Sequence, residues 1–454
     1  MRIPRFVRVV SMLIALPAVA MAVRAQAAPG SPAPVAAQHA SAPQPSSDQE
    51  YTLSPDKLAE AKTLNRIRLA LAIGGSIWAL VVIWLLLATR TAVALDAWTQ
   101  RQSDRRWAQG IYFFIAFFVI RSAAALPLSL AGQMASRHYG ISVQGWASWF
   151  GDVGKSLVLT IAFGTVTLLL YNWIVRVSPR RYWFWCWAVA VGFMLPGAIG
   201  EPLLEPLFYQ FEPLSAHHAA LVTDLEKVVD RTGTQISPDR MFLMKASAKT
   251  NGLNAYVTGL GATKRIVVWD TTAGRIPNDQ IMIIFAHETG HYVLHHIVKG
   301  LILSAIGVFF LFWVCARFAS WLVKRFGESW GIHAEAGPAG EMAPLATRAG
   351  FLVLVFAVSI AMFVALPLNN TVSRYIEHQA DVFGQEAVHG LVPDPQKTAV
   401  ASFNALGEAW LEDPDPSPIV EFWLYDHPSV QNRAKFAASY NPWANGGHGE
   451  FFKQ

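Results

Sequence analysis

Six apolar runs, at roughly 69–89, 110–131, 156–175, 183–203, 301–323 and 350–369, are each long enough to cross about 30 Å of hydrocarbon as a helix. In hydrocarbon a chain must satisfy its own backbone hydrogen bonds, and runs of this length do so as helices. The composition agrees. Of the 454 residues 53% are hydrophobic and 15% charged, where a soluble domain is roughly a quarter charged. Many of the 17 Trp and 27 Phe stand near the ends of the apolar runs, as in an interfacial aromatic belt. The net charge of +5 comes from Lys and Arg scattered through short loops. It reports topology and does not indicate nucleic-acid binding. Cys186 and Cys315 lie inside apolar runs, so neither a disulfide framework nor a cysteine metal site is expected. The second run holds Arg121. An intramembrane arginine is a functional hint, and the competing readings are a snorkelling side chain or a buried ion pair.

Residues 1–27 carry Arg2, Arg5 and Arg8, an apolar run over 9–23, and then Ala25-Gln26-Ala27. That is the order of a secretory signal, and an uncleaved first membrane helix fits the same residues. Residues 28–49, rich in Ala, Pro and Ser, read as a disordered tether. Residues 50–203 make an N-terminal membrane region with four helices, and 300–369 hold two more with a loop at 327–348 whose Gly, Ala and Pro predict flexibility. Two polar stretches remain, 204–299 and 370–454, neither large enough for an enzyme alone. Together they form one catalytic domain with a helix pair inserted between its halves. In the first stretch, 215–230 has helical spacing, and Arg265–Trp269 has strand composition. A second strand at 254–257 precedes it, across a turn containing Gly259 and Gly261, so a small hairpin is expected.

The chemistry begins at His287-Glu288-Thr289-Gly290-His291. The preceding residues 281–286 are apolar and predict a helix, which sets the two histidines one above the other on one face. Both imidazoles then reach one metal ion, and Glu288 is placed to hold a water. A catalytic zinc takes three protein ligands. His295 and His296 follow closely, but the metzincin spacing needs Gly and His where Leu294 and Ile297 stand. A glutamate from another helix is the alternative. In Ser373-Arg374-Tyr375-Ile376-Glu377-His378-Gln379-Ala380-Asp381, Glu377 and Asp381 are four apart on one helix face. Glu377 suits the metal, and Asp381 suits the far nitrogen of a ligating histidine. His378 points to another face and ranks below Glu377. The competing reading is an ordinary charged helix leaving the membrane.

Taken in series, these motifs resemble the type I CAAX prenyl proteases and their bacterial relatives, integral-membrane zinc endopeptidases of the gluzincin class. The resemblance runs from about 50 to 440. It rests on Pro206-Leu207-Phe208 with Phe211-Glu212-Pro213-Leu214, Asn254-Ala255-Tyr256-Val257-Thr258-Gly259, Lys264-Arg265-Ile266-Val267 with Asp270-Thr271, the His287/Glu288/His291 pattern with His296, then Ser373-Arg374, Glu377, Ala380-Asp381, and His427-Pro428-Ser429 with Arg433. It implies seven helices around a water-filled membrane chamber, with a small gluzincin catalytic domain carrying a short β-sheet. Six helices are legible here, and the seventh falls on the signal-like N-terminus.

The resemblance and the residue chemistry imply the same roles. His287, His291 and Glu377 hold one Zn²⁺ per chain, and Glu288 is the general base that passes its proton to the leaving amine. His427 donates to the oxyanion, against the alternative of a structural His-Pro turn. Residues Asn254, Ala255, Tyr256 and Val257 pair with substrate backbone as an added strand, or form a plain edge strand. Arg433 steadies Glu377, Asp381 or a substrate carboxylate, His296 belongs behind the ligands, and Arg374 reads equally as a surface charge. Loops 90–109, 176–182 and 324–349 hold Arg90, Arg101, Arg105, Arg106, Arg176, Arg180, Arg181, Lys324, Arg325 and Arg348, whereas 132–155 holds Arg137 and Lys155. The positive-inside rule then puts the zinc site on the periplasmic face of a bacterial inner membrane. The expected partners are membrane lipid and a polypeptide substrate, either membrane-associated or lipidated. A non-catalytic binding chamber leaves Glu288 without a use, and a transporter calls for broken helices that the sequence lacks.

Overall fold

The computed structural model describes residues 51–452 apart from 52, 260, 334 and 337–341. The signal-like segment 1–27 and the tether 28–49 lie outside the described residues. The protein is mainly helical and crosses the membrane repeatedly. Helices α1 (Pro55–Ala88), α3 (Arg106–His138), α4 (Trp146–Val177), α9 (His296–Trp330) and α10 (Arg348–Ala387) are long and apolar enough to span. Their outward faces leave Trp84, Val158, Phe163, Trp173, Phe310 and Val364 exposed, which suits lipid contact rather than water. The expected fourth span, 183–203, is helix α5 (Tyr182–Leu204), which carries Pro196 and Pro202 inside it. The stretch 90–109, read as a loop, contains a separate helix α2 (Thr91–Gln102). Residues 327–330, expected in a loop, complete α9, and Glu335–Ala336 pairs with Met342–Ala343 in a two-stranded ribbon.

Arg121 is turned into the bundle, and no ion pair to it is found among the described residues. It is 6% exposed and its Nη1 has no hydrogen-bond partner among the described residues. At the end of the bundle remote from the catalytic residues, Arg348 donates to Asp96 at 2.6 Å and to Gln109 at 2.8 Å, all buried. At the other end, the link between α3 and α4 docks on the polar half of the chain. Val143 donates to the Lys249 carbonyl, Thr250 donates to the Ile141 carbonyl, and Lys249 pairs with the buried Asp152 of α4.

The catalytic half is built around α8 (Asn278–Val293). Its residues 281–286 are buried on every side, which explains their lack of amphipathic alternation. Around them pack α6 (Ala219–Thr232) through Leu221, Leu225 and Val228, a four-stranded sheet through Val257, Ile266 and Val268, and α10 through Phe383 and Ala387. The sheet order is β1 (Phe211–Pro213), β2 (Met241–Met244), β4 (Arg265–Trp269), β3 (Ala255–Thr258). The expected hairpin is the antiparallel pair β3–β4, with Ala255 opposite Val268. Two strands that the sequence did not reveal, β1 and β2, extend it, and β2 runs parallel to β4. In the turn, Gly259 has φ +84 and an added Cβ would meet the Thr263 carbonyl at 2.2 Å, so only glycine fits.

Helix α10 is unbroken over 40 residues, about 60 Å at 1.5 Å per residue. The expected boundary at 369/370 falls inside it, so one continuous helix, with Pro367 in its interior, joins the membrane to the catalytic half. It meets α8 where a Cβ on Gly384 would lie 2.8 Å from the His287 backbone nitrogen. Gly384→Ala is expected to push the helices apart and destabilise the protein by about 1–3 kcal/mol. Thermal unfolding beside a metal-binding measurement checks this, and unchanged values for both would show that the crossing has slack.

Candidate metal centre

Two helices supply the centre. Helix α8 presents His287 and His291, and α10 presents Glu377. The Glu377 Oε2 lies 3.1 Å from His287 Nε2 and 3.6 Å from His291 Nε2, and the two Nε2 atoms are 3.3 Å apart. Among the described residues these three are the group whose ligand atoms converge closely enough for one cation. Glu377 is 5% exposed, and its Oε2 has no hydrogen-bond partner despite the nitrogens around it. A buried carboxylate oxygen that, among the described residues, makes no hydrogen bond yet sits within 3.6 Å of both imidazole nitrogens fits a divalent ion, and the two-nitrogen, one-oxygen set suits zinc.

Behind the ligands stands an anionic support. His287 Nδ1 faces Asp381 Oδ1 at 2.8 Å, at ion-pair distance but off the straight line of a good hydrogen bond. Asp381, 4% exposed, receives both arms of Arg433, Nε at 2.9 Å and Nη2 at 2.5 Å. Arg433 from α13 (Val430–Ser439) therefore holds Asp381, and its guanidinium lies 4.2 Å over the Phe403 ring. Of the three partners considered for Arg433, the structure brings it to Asp381.

Burial alone would lower the pKa of His287, but the carboxylates of Asp381 and Glu377 outweigh it and push it up to about 9. The sign follows. In the metal-free protein this proton stabilises the fold fully below pH 6.5, and the contribution fades as pH rises through about 9. A metal ion must displace the same proton. Apparent affinity for a divalent ion is therefore expected to rise about tenfold per pH unit between 7 and 9. Chelator competition at several pH values measures it, and a flat profile would mean that His287 binds no proton there.

His427 belongs to the same cluster. Its Nε2 is 3.1 Å from Glu377 Oε2, as near as His287, and its Nδ1 is 3.0 Å from Asp426 Oδ1. Burial lowers its pKa, yet Glu377 and Asp426 raise it to about 10 in the metal-free protein. Arg374 fixes the loop that carries it. Its guanidinium donates to the carbonyls of Glu421 at 2.9 Å and Tyr425 at 2.6 Å, at the end of α12 (Pro418–Leu424). The reading of Arg374 as a surface charge is thereby replaced by a clamp between α10 and the His427 loop. Ser429 caps α13 by accepting from Asn432.

Glu288 is half-buried on α8 between the two histidines. Residues 254–257 run into β3, which is the edge of the sheet and lies beside α8. Tyr292, next to His291, donates to the Gly259 carbonyl at 2.7 Å and ties α8 to the turn that ends β3. Tyr256 donates to Glu205 at 3.0 Å. His378 is exposed and meets the Phe436 ring edge-on, and His295 is also exposed. His296 is buried with Nδ1 3.3 Å from His291 Nδ1. Sequence reasoning missed Asp426 and Gln379. For Asp426 its place beside His427 was a usable signal; for Gln379 only its place between Glu377 and Asp381 was available.

Two family models match the chain. One, described as peptidase family M48, covers 216–441, and one described as CAAX prenyl protease N-terminal, five membrane helices, covers 35–210. The uncharacterized metalloprotease YhfN of Bacillus subtilis is 29% identical over 394 residues, 86% of this chain and 87% of its own length. CAAX prenyl protease 1 of Saccharomyces cerevisiae is 27% identical over 335 residues, 72% of this chain and 71% of its own. The crystal structure of S. mikatae Ste24p matches with a TM-score of 0.70, spanning 96% of this chain and 99% of that one at 20% identity. That likeness shows a shared fold, a helical membrane bundle joined to a small sheet-bearing domain.

Proposed function

The chain belongs to peptidase family M48 and is a membrane metallopeptidase, and on that premise we propose that His287, His291 and Glu377 hold a single zinc ion and that the chain cleaves internal peptide bonds. The observation that carries this reading is the convergence of those three ligand atoms, from two helices, beside Glu288. A zinc ion held there would supply Lewis acidity, lowering the pKa of a water and polarising the scissile carbonyl. Glu288 is the side chain placed to take a proton from the attacking water and pass it to the leaving nitrogen. His427, oriented by Asp426, donates to the oxyanion of the tetrahedral intermediate. Asp381, clamped by Arg433, keeps His287 in the tautomer whose Nε2 lone pair faces inward. The edge strand β3 receives an extended substrate by backbone pairing, which tolerates many sequences.

The substrate is a membrane-associated or misfolded polypeptide, whereas the eukaryotic relatives are named for CAAX prenyl processing. The metal centre lies at the bundle end where the α3–α4 link docks, away from the arginine-rich loops. Positive-inside reasoning therefore supports a periplasmic site in a bacterial inner membrane. The test is cleavage of an unfolded model protein by the detergent-purified chain before chelation, after chelation, and after zinc is returned. Loss and recovery of cleavage are expected. Equal cleavage by the stripped and restored protein would overturn the reading.

A further inference from the structure

We infer that Gln379, acting through His296, is a positioning residue that sets which nitrogen of His291 carries the proton. The inference rests on the reading of His291 as a metal ligand. Each link dictates the next. His291 Nδ1 is 3.3 Å from His296 Nδ1, His296 Nε2 is 3.2 Å from Gln379 Oε1, and Gln379 Nε2 donates to the Tyr375 hydroxyl at 3.3 Å. The Gln379 oxygen can only accept. His296 must therefore carry its proton on Nε2, which leaves its Nδ1 as an acceptor. His291 then donates Nδ1–H to that lone pair, and its own Nε2 lone pair faces the centre. Tyr375 completes the chain by taking the amide N–H of Gln379.

The fold builds this line deliberately. His295 adopts a left-handed conformation, φ 57, between α8 and α9. That break ends α8 just past His291 and turns His296, 4% exposed, back against it. Gln379 lies two residues beyond Glu377 and two before Asp381 on α10. One helix thus supplies a ligand and the groups behind both histidines. His287 is backed by a carboxylate, and His291 by a neutral ring and an amide. The carboxylate makes His287 the stronger electron donor, and His291 the ligand whose orientation depends on a neutral relay.

The experiment uses the full chain in detergent and measures zinc affinity by chelator competition, with thermal unfolding recorded for every variant. Gln379→Leu is expected to weaken zinc binding about 10–100-fold, since His296 loses the acceptor that fixes its tautomer. Gln379→Lys, a donor only, is expected to weaken it at least as much. Gln379→Glu keeps the acceptor and is expected to bind zinc as tightly as the parent or more so. Position 379 is half-buried, and a merely structural role would not separate Glu from Leu in zinc affinity, whereas the relay does. His296→Ala removes the middle ring, is expected to match Gln379→Leu, and serves where a Gln379 variant fails to fold. The electronic spectrum of the Co²⁺-loaded protein is expected to shift in the Leu variant and return in the Glu variant. Parent-like affinity for both Leu and Lys variants, or a Glu variant as weak as Leu, would overturn the inference. His291→Ala separates the levels. If it leaves zinc affinity unchanged, the ligand reading fails; if it abolishes binding while the Gln379 series is silent, only the relay fails.

Discussion

Glu288→Gln is expected to leave the metal in place and lower peptide hydrolysis by about 10²–10⁴-fold. The amide keeps the size of the carboxylate and its place on α8, but it cannot take a proton from water at neutral pH. The proposed ligand atoms belong to His287, His291 and Glu377 and not to Glu288, so metal content is expected to hold. The check is hydrolysis of a quenched fluorescent peptide under single-turnover conditions, with metal content measured on the same sample. A zinc-loaded variant that cleaves at the parent rate would show that another group is the base. Loss of both metal and activity would instead give Glu288 a part in holding the ion.

Glu377→Gln is expected to fail at the earlier step. The carboxylate brings the negative charge to a site whose other two donors are neutral rings, and its Oε2 stands between them. An amide oxygen is a far weaker ligand for a divalent ion. The loss in affinity is expected to exceed the roughly 10–100-fold that removal of a supporting group costs, and cleavage should vanish at ordinary zinc concentrations. The fold should survive, because the amide is neutral and nearly isosteric, and thermal unfolding will show whether it does. Asp381→Asn makes the comparison sharp. It is expected to lose only the smaller factor, since Asp381 reaches the ion through His287. Full metal content in Glu377→Gln would remove Glu377 from the ligand set and turn attention to His427, which approaches the same point.

What was legible in the sequence is what helical periodicity encodes. Spacing of four residues brings His287 to His291 and Glu377 to Asp381, because both pairs lie on single helices. The apolar runs were legible for the same local reason, and so was the β3–β4 pair, whose partners are joined by a short turn. Strands β1 and β2 were not. They have only three and four residues, and β2 pairs in parallel with a strand more than twenty positions away, beyond any local pattern. The helix α2 was hidden between two spans because its composition is mixed rather than apolar.

Arg374 and Gln379 mark the limit most clearly. Each sits on α10 within three residues of Glu377, and from sequence each reads as a helix-surface polar group. Arg374 in fact clamps the loop that delivers His427, and Gln379 meets a ring from α9. By itself the sequence determined that the chain fills a membrane with helices and that two of its helices carry metal-ligand spacing, since hydrophobic length and i, i+4 geometry are properties of one segment. Only the tertiary structure decided which segments meet: that the tight crossing at Gly384 brings α10 to α8, that His427 points to Glu377, and that Arg433 holds Asp381. Those contacts join residues up to 97 positions apart, His287 and Gly384 being the widest pair, and close packing rather than local pattern selects them.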